Sequence, residues 1–321
     1  MCSLTLHAEG RLEQYVNAQM RGRRGAVIVT DPTTGVILAE WNRKTAFHQV
    51  FPPGSTAKLV TSAVALENGV LSPVDRVSCR RVPELLGEPY HCTHPTPTEP
   101  FTLATALANS CNYFFAALST RLNAAAILHG YSMFGLSGGA AGASEAEQGA
   151  IRVSDDPAGK AQAVLGERPV LVTPAQLLLA YSAVATRGTI YQLRRASQST
   201  KPPAVLRRVR LKFSTWTTIE AGLEECVRSG TGQTGAVPGV RVGGEAGWVN
   251  ADGTANHEVD GVMPTKWTVA YDVLAIVVND QNTWAPSLNY SQLRKIFTDD
   301  DPAVYWDGVP GLTGAPHEKV E

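Results

Sequence analysis

The segment Phe51-Pro52-Pro53-Gly54-Ser55-Thr56-Ala57-Lys58 constrains this chain more than any other. Two prolines and a glycine stop whatever precedes them, and an apolar run of helix formers follows (Leu59, Val60, Ala63, Val64, Ala65, Leu66). A helix is therefore expected to begin at or near Ser55 and to run to Glu67. Residues three apart share a helix face, so the Ser55 hydroxyl and the Lys58 amine can meet at the N-terminal end. Free N–H groups and the macrodipole favour negative charge there, including a developing oxyanion. A serine is a poor nucleophile until a base takes its proton, and a desolvated lysine can be that base. The plainer reading of the same residues is an N-capping serine followed by an exposed lysine.

A second element raises the first reading over the second. Ala106-Leu107-Ala108-Asn109-Ser110-Cys111-Asn112-Tyr113-Phe114-Phe115 reads as a helix, a Ser-x-Asn turn and another apolar helix. With it the chain resembles, over most of its length, the transpeptidase domain of penicillin-binding proteins, the serine acyltransferases that cross-link peptidoglycan. Asp31-Pro32-Thr33-Thr34-Gly35-Val36-Ile37-Leu38-Ala39 is similar to that family's opening hairpin, and Pro53 to Lys58 to its nucleophile motif. Ser110-Cys111-Asn112 is similar to its second motif. Thr173-Pro174-Ala175-Gln176, with Leu177 to Gly188, is similar to the helix that closes its helical region, and Gly230-Thr231-Gly232 to the segment ahead of its third motif.

The chain departs from the family at that third motif. Where the family carries Lys-Thr-Gly or Lys-Ser-Gly on a strand beside the nucleophile, this chain reads Gly244-Glu245-Ala246-Gly247-Trp248. Gln233-Thr234-Gly235 is a near match that comes too early in the order, and Val240 to Val242 supply a short strand leading to Glu245. The resemblance implies that Ser55 attacks a carbonyl, that Lys58 takes its proton, that Ser110 relays a proton to the leaving amine, and that Asn112 orients Lys58 and the substrate amide. It implies an oxyanion hole made by the backbone N–H groups of Ser55 and Trp248. It also gives positions 245 to 248 the task of binding the substrate's terminal carboxylate. Glu245 reverses the charge there and Ala246 removes a hydrogen bond, while Trp248 is bulky where a small hydroxyl residue is usual. Unit charges ~4 Å apart interact by about 4 kcal/mol at an effective dielectric of about 20, so a glutamate facing a carboxylate is costly. Glu245 is expected either to pair with Lys58 or to point to solvent from a sheet edge.

The implied function is a D,D-transpeptidase or carboxypeptidase acting on peptidoglycan stem peptides and trapped by β-lactams, weakened at its third motif. The alternative is an impaired penicillin-binding-protein-like scaffold or sensor. A β-lactamase needs a further base to activate water; Glu145, Glu147 and Glu167 are available, and nothing in their spacing singles one out. The family works outside the cytoplasmic membrane, so the chain is expected there, as one part of a larger membrane-anchored protein.

Composition narrows the rest. At 321 residues, 44% hydrophobic and 18% charged, the chain can bury a large core. A net charge of −1 gives no reason to expect nucleic acid as a partner. No run approaches the ~18 apolar residues of a membrane helix, and Met1 to Gly10 lack a signal peptide's pattern. Cys79 and Cys92 flank a polar, proline-containing loop and could form a disulfide in an oxidising compartment. With His91 and His94 they could also hold a metal, but the spacing fits no common zinc pattern, so neither a metal nor any other cofactor is expected. Cys111 reads as a small buried apolar group, and Cys2 and Cys226 carry no signal.

The expected fold class is α+β: an antiparallel sheet sandwiched by helices plus an all-helical lobe. As one transpeptidase-like domain, its sheet lobe would take residues 1–60 and 205–321 and its helical lobe 61–204. Leu12 to Gln19 reads as a short amphipathic helix, Ala26 to Thr30 and Val36 to Trp41 as a hairpin, and Leu103 to Arg187 as mostly helical. Gly138 to Ala150 reads as a loop and Thr215 to Arg228 as a helix. Trp267 to Asn279 reads as one or two buried strands turning at Asp272, and Ser291 to Phe297 as a closing helix.

Overall fold

The structure is a computed structural model. It describes residues 12–22, 25–81, 84–85, 88–89, 92–137, 149–167, 170–195, 202–236, 241–245, 275–276, 305 and 308. Helix α1 (residues 12–20) leads into strands β1 (Val27–Thr30) and β2 (Val36–Trp41), which pair antiparallel with Val27 opposite Trp41. The hairpin expected from the Pro/Gly turn is thus present. Asp31 closes it: its Oδ1 accepts the Thr33 N–H at 2.8 Å, and its carbonyl accepts the Gly35 N–H at 2.8 Å. Helix α2 (Arg43–His48) follows, capped by Asn42.

A single 3-10 turn (Gly54–Ala57) runs directly into helix α3 (Lys58–Glu67). Every α3 residue from Lys58 to Leu66 is buried. A helix buried all round lies at the centre of a core, and the others surround it. These are α4 (Leu103–Ala108), α5 (Asn112–Ser119), α6 (Ala124–Met133), α7 (Pro157–Val164), α8 (Pro174–Ala185) and α9 (Phe213–Ser229). Helices α4, α5, α6 and α9 pack on α3, and α4 lies along α9. Local chemistry sets their starts. Thr102 and Thr173 form capping boxes with Thr105 and Gln176, and Asp156 caps α7 with Pro157 at its first position. Phe47, Leu59, Phe114, Phe115, Tyr131 and Phe134 fill the core.

The remaining strands are short. β3 (Glu84–Leu85) pairs with β4 (Glu88–Pro89), β5 (Ala150–Ile151) with β6 (Val170–Leu171), and β7 (Thr189–Tyr191) with β9 (Val205–Arg208), all antiparallel. β8 (Arg194–Arg195) lies parallel to β2, and β10 (Val242–Gly243) pairs antiparallel with β11 (Ala275–Ile276). The fold is α+β, with substantial helix and small sheets.

The expected nucleophile helix differs in its first turn. Ser55 lies on the 3-10 turn, and the α-helix proper begins at Lys58. The expected loop over Gly138 to Ala150 lies outside the described residues except for its end, where Ala150 is in β5. Of the expected strands over Trp267 to Asn279, only the residues of β11 are described, and the expected helix over Ser291 to Phe297 lies outside the described residues. No helix among the described residues is long and apolar enough to cross a membrane.

Candidate active site

The Ser55 turn is built on a close backbone approach. Gly54 has φ +57° and Gly166 φ +72°, conformations that L side chains rarely adopt. The Gly54 N–H donates to the Gly166 carbonyl at 2.8 Å, and a Cβ on Gly166 would come within 2.2 Å of the Gly54 carbonyl oxygen. The Thr56 hydroxyl donates to Pro53 O at 2.6 Å, and the Tyr181 hydroxyl donates to Thr56 O at 3.0 Å. Residues i and i+3 eclipse on a 3-10 turn, so the tighter winding stacks Ser55 directly over Lys58. Their Oγ and Nζ atoms lie 2.8 Å apart.

The Ser-x-Asn turn comes from the other side. Helix α4 ends with Ser110 at φ +49°, the left-handed position usually given to glycine. The Ser110 N–H donates to Leu107 O and the Cys111 N–H to Ala106 O, which closes the helix as a Schellman motif does. A serine there costs of order 1–3 kcal/mol and persists only where its surroundings hold it. What it contributes is an oxygen. The Lys58 Nζ lies 2.9 Å from Ser110 Oγ, 2.9 Å from Ser110 O and 2.7 Å from Asn112 Oδ1. Ser55, Lys58, Ser110 and Asn112 are thus brought together, as the sequence motifs require, and the exposed-lysine reading is overturned: Lys58 is 0% exposed.

The partners of Lys58 bear on its protonation. Ser110 O and Asn112 Oδ1 accept only, so they take two hydrogens of the amine. A neutral amine then has its lone pair left for a hydroxyl hydrogen. Burial lowers the Lys58 pKa; Glu245, Cys111, Cys92 and Glu167 act in the opposite direction.

Glu245 follows β10 and is 5% exposed, so it does not point to solvent. Nor does it form an ion pair with Lys58 among the described residues. Among the described residues its two buried oxygens have no hydrogen-bond partner. Burial pushes its pKa up to about 8, against the pull of Lys58; the Ser110 hydroxyl and the Cys226 thiol also favour the charged form, without a well-formed hydrogen bond. Ala246, Gly247 and Trp248 lie outside the described residues, and so do Glu145 and Glu147. Glu167 is buried next to Gly166 and acts on the Lys58 charge. Sequence reasoning did not single it out, because its signal is only its adjacency to a glycine that the fold places against Gly54. Cys226, set aside on sequence, turns out to neighbour Glu245.

Cys79 and Cys92 are free thiols with sulfurs 3.7 Å apart, so they form no disulfide in this structure. His91 lies outside the described residues.

Several solved structures share this architecture. The transpeptidase domain of Burkholderia pseudomallei penicillin-binding protein 3 matches with a TM-score of 0.65 at 24% identity, over 82% of this chain and 78% of that one. The D,D-transpeptidase domain of a peptidoglycan glycosyltransferase from Eggerthella lenta matches with a TM-score of 0.61 at 23% identity, over 74% and 69%. Pseudomonas aeruginosa PBP2, solved in complex with WCK 5153, matches with a TM-score of 0.65 at 20% identity, over 75% and 66%. No curated protein matches the chain. The model of the penicillin binding protein transpeptidase domain matches residues 25–294. This chain belongs to the penicillin-binding protein transpeptidase family.

Proposed function

We propose that the chain is a serine acyl-enzyme of peptidoglycan cross-linking, with Ser55 as nucleophile and Lys58 as base, and that it acylates better than it completes transpeptidation. One observation carries the reading. A buried lysine lies 2.8 Å from the hydroxyl it would deprotonate, held there by a carbonyl and an amide oxygen.

Ser55 Oγ attacks the carbonyl of a D-Ala-D-Ala peptide bond, or of a strained β-lactam, as its proton passes to Lys58. The oxyanion forms against the backbone N–H of Ser55, with that of Trp248 expected opposite; one such donor is worth on the order of 10²–10³ in rate. Collapse breaks the C–N bond, and Ser110, 2.9 Å from Lys58, passes the proton to the leaving amine. The acyl group leaves Ser55 when a second amine, or water, attacks the ester. Asn112 orients the lysine throughout. An extracytoplasmic location within a larger membrane-anchored assembly goes with this reading.

Glu245 supports the weaker half of the proposal, and it is also the observation that favours a scaffold or sensor role. A buried acid whose charge acts on Lys58 raises the affinity of that lysine for a proton and, when ionised, opposes a substrate carboxylate. A fluorescent penicillin separates the readings. Stable labelling that is absent from Ser55→Ala supports the acyl-enzyme. No labelling of the native chain supports the scaffold, and rapid loss of label with release of hydrolysed drug supports a β-lactamase.

A further inference from the structure

Three loops place four soft ligands around one point, beside the Ser-x-Asn turn. Cys79, Cys92, His94 and Cys111 have their ligand atoms within 4.8 Å of one another. Cys92, His94 and Cys111 are buried and Cys79 is half-buried. The Cys79 and Cys92 sulfurs are 3.7 Å apart, the Cys92 and Cys111 sulfurs 3.7 Å, and Cys79 Sγ lies 3.8 Å from His94 Nε2. A tetrahedron with zinc–sulfur bonds of ~2.3 Å has edges of about 3.8 Å. These separations match such an edge and are far longer than the ~2.05 Å of a disulfide.

We propose that Cys79, Cys92, His94 and Cys111 form a Cys₃His site for a thiophilic divalent cation, zinc above all, which fixes the second motif from behind. The surroundings fit that use. His94 Nδ1 lies 2.7 Å from the Pro95 carbonyl, and donating to it leaves the Nε2 lone pair facing the sulfurs. The Tyr113 N–H donates to Cys92 Sγ and the Phe114 N–H to Cys111 Sγ, both at 3.4 Å, so the first turn of α5 faces two of the sulfurs. Arg81 Nη2 donates to Cys92 O at 3.1 Å, which sets a cation beside a site that carries one net negative charge when three thiolates hold a divalent ion. The sequence offers Cys79, Cys92 and His94 but no zinc spacing and no link to Cys111, because the loops that carry them meet through the Val77–Phe101 bridge and the end of α4.

The consequence is mechanical. Cys111 lies between Ser110 and Asn112. Binding metal through it would tie the left-handed turn to the two loops and hold both oxygens toward Lys58, as structural zinc sites contribute folding energy directly.

The site is independent of the acylation reading, and its test is chosen to keep the two apart. The full chain is reduced, exchanged with zinc, desalted and assayed for metal. One zinc per chain is expected in the native protein and in Ser55→Ala. Cobalt in place of zinc should give the thiolate charge-transfer and strong visible bands of tetrahedral coordination. Cys79→Ser and His94→Gln, folded by circular dichroism, should each weaken binding by more than tenfold, and chelation of the native chain should lower its melting temperature. A folded native chain that carries no zinc after exchange would overturn the proposal. So would a Cys79–Cys92 disulfide in freshly purified protein, or a cobalt spectrum that survives both substitutions.

Discussion

The two groups of side chains that act on Lys58 are built on opposite principles. On the side of Ser55, Ser110 and Asn112, the polar atoms around the lysine are paired within 2.9 Å, and backbone geometry unusual for its residue type is spent on holding one oxygen in place. On the side of Glu245, two carboxyl oxygens are buried without a hydrogen-bond partner among the described residues. A half-satisfied polar site is a place where stability is given up. The first side is preorganised for acyl transfer, and the second places an acid, held protonated by burial up to about pH 8, where a carboxylate substrate calls for a cation. The family motif and its departure thus both act on Lys58, and each can be altered separately.

The largest effect is expected on the satisfied side. Lys58→Met fills the same volume without a base, and should lower the rate of penicillin acylation by ~10²–10⁴ with the fold retained. A loss of less than tenfold in stopped-flow labelling would mean that the lysine is not the base. On the other side, Glu245→Lys with Ala246→Thr should speed acylation by tenfold or more, about 1.4 kcal/mol, and no gain would count against the charge argument. Glu245→Gln removes the largest electrostatic pull toward a protonated Lys58. The acid limb of the acylation pH profile should move to lower pH, and an unmoved limb would show that Glu245 does not act on the base.

Glu245 also makes a stability prediction with a definite sign. Its pKa rises from 4.5 to about 8, so between those values the folded chain keeps a proton that the unfolded chain has lost. That contribution is fully present below pH 4.5 and is lost as pH rises through 8. Glu245→Gln should therefore stabilise the chain relative to the native one by about 1–3 kcal/mol at pH 8 and by less at pH 5, read from paired urea melts. A difference that does not grow with pH would contradict the buried, raised carboxyl. The smallest effect is at the strained turn. Ser110→Gly should gain about 0.5–1 kcal/mol by relieving the left-handed serine, while slowing acylation through loss of the hydroxyl. A loss of stability would show that the Ser110 oxygen contributes more than its backbone costs.

What could be read from the sequence follows the range of the forces involved. The β1–β2 hairpin, the Thr173 cap and the Ser55–Lys58 spacing depend on residues close in the chain, so turn chemistry and helical periodicity sufficed. The 3-10 winding at Ser55 was missed because it depends on Gly166, more than a hundred residues away. Glu245 could be aligned but not placed. Whether it met solvent or Lys58 depended on how β10 lies against α9, and it turned out to be buried without either partner. Cys79, Cys92 and His94 could be named as a conceivable metal set, but no spacing rule supported it and none pointed to Cys111, because loops bring the cluster together.

Acyl transfer by this chain rests on one oxygen, Ser55 Oγ. The native chain is incubated with penicillin, digested, and its peptides are weighed. The peptide containing Ser55 should gain the mass of the intact drug, and the gain should vanish in Lys58→Met on the same timescale. An unmodified Ser55 peptide, or a drug adduct on any other residue, would contradict it.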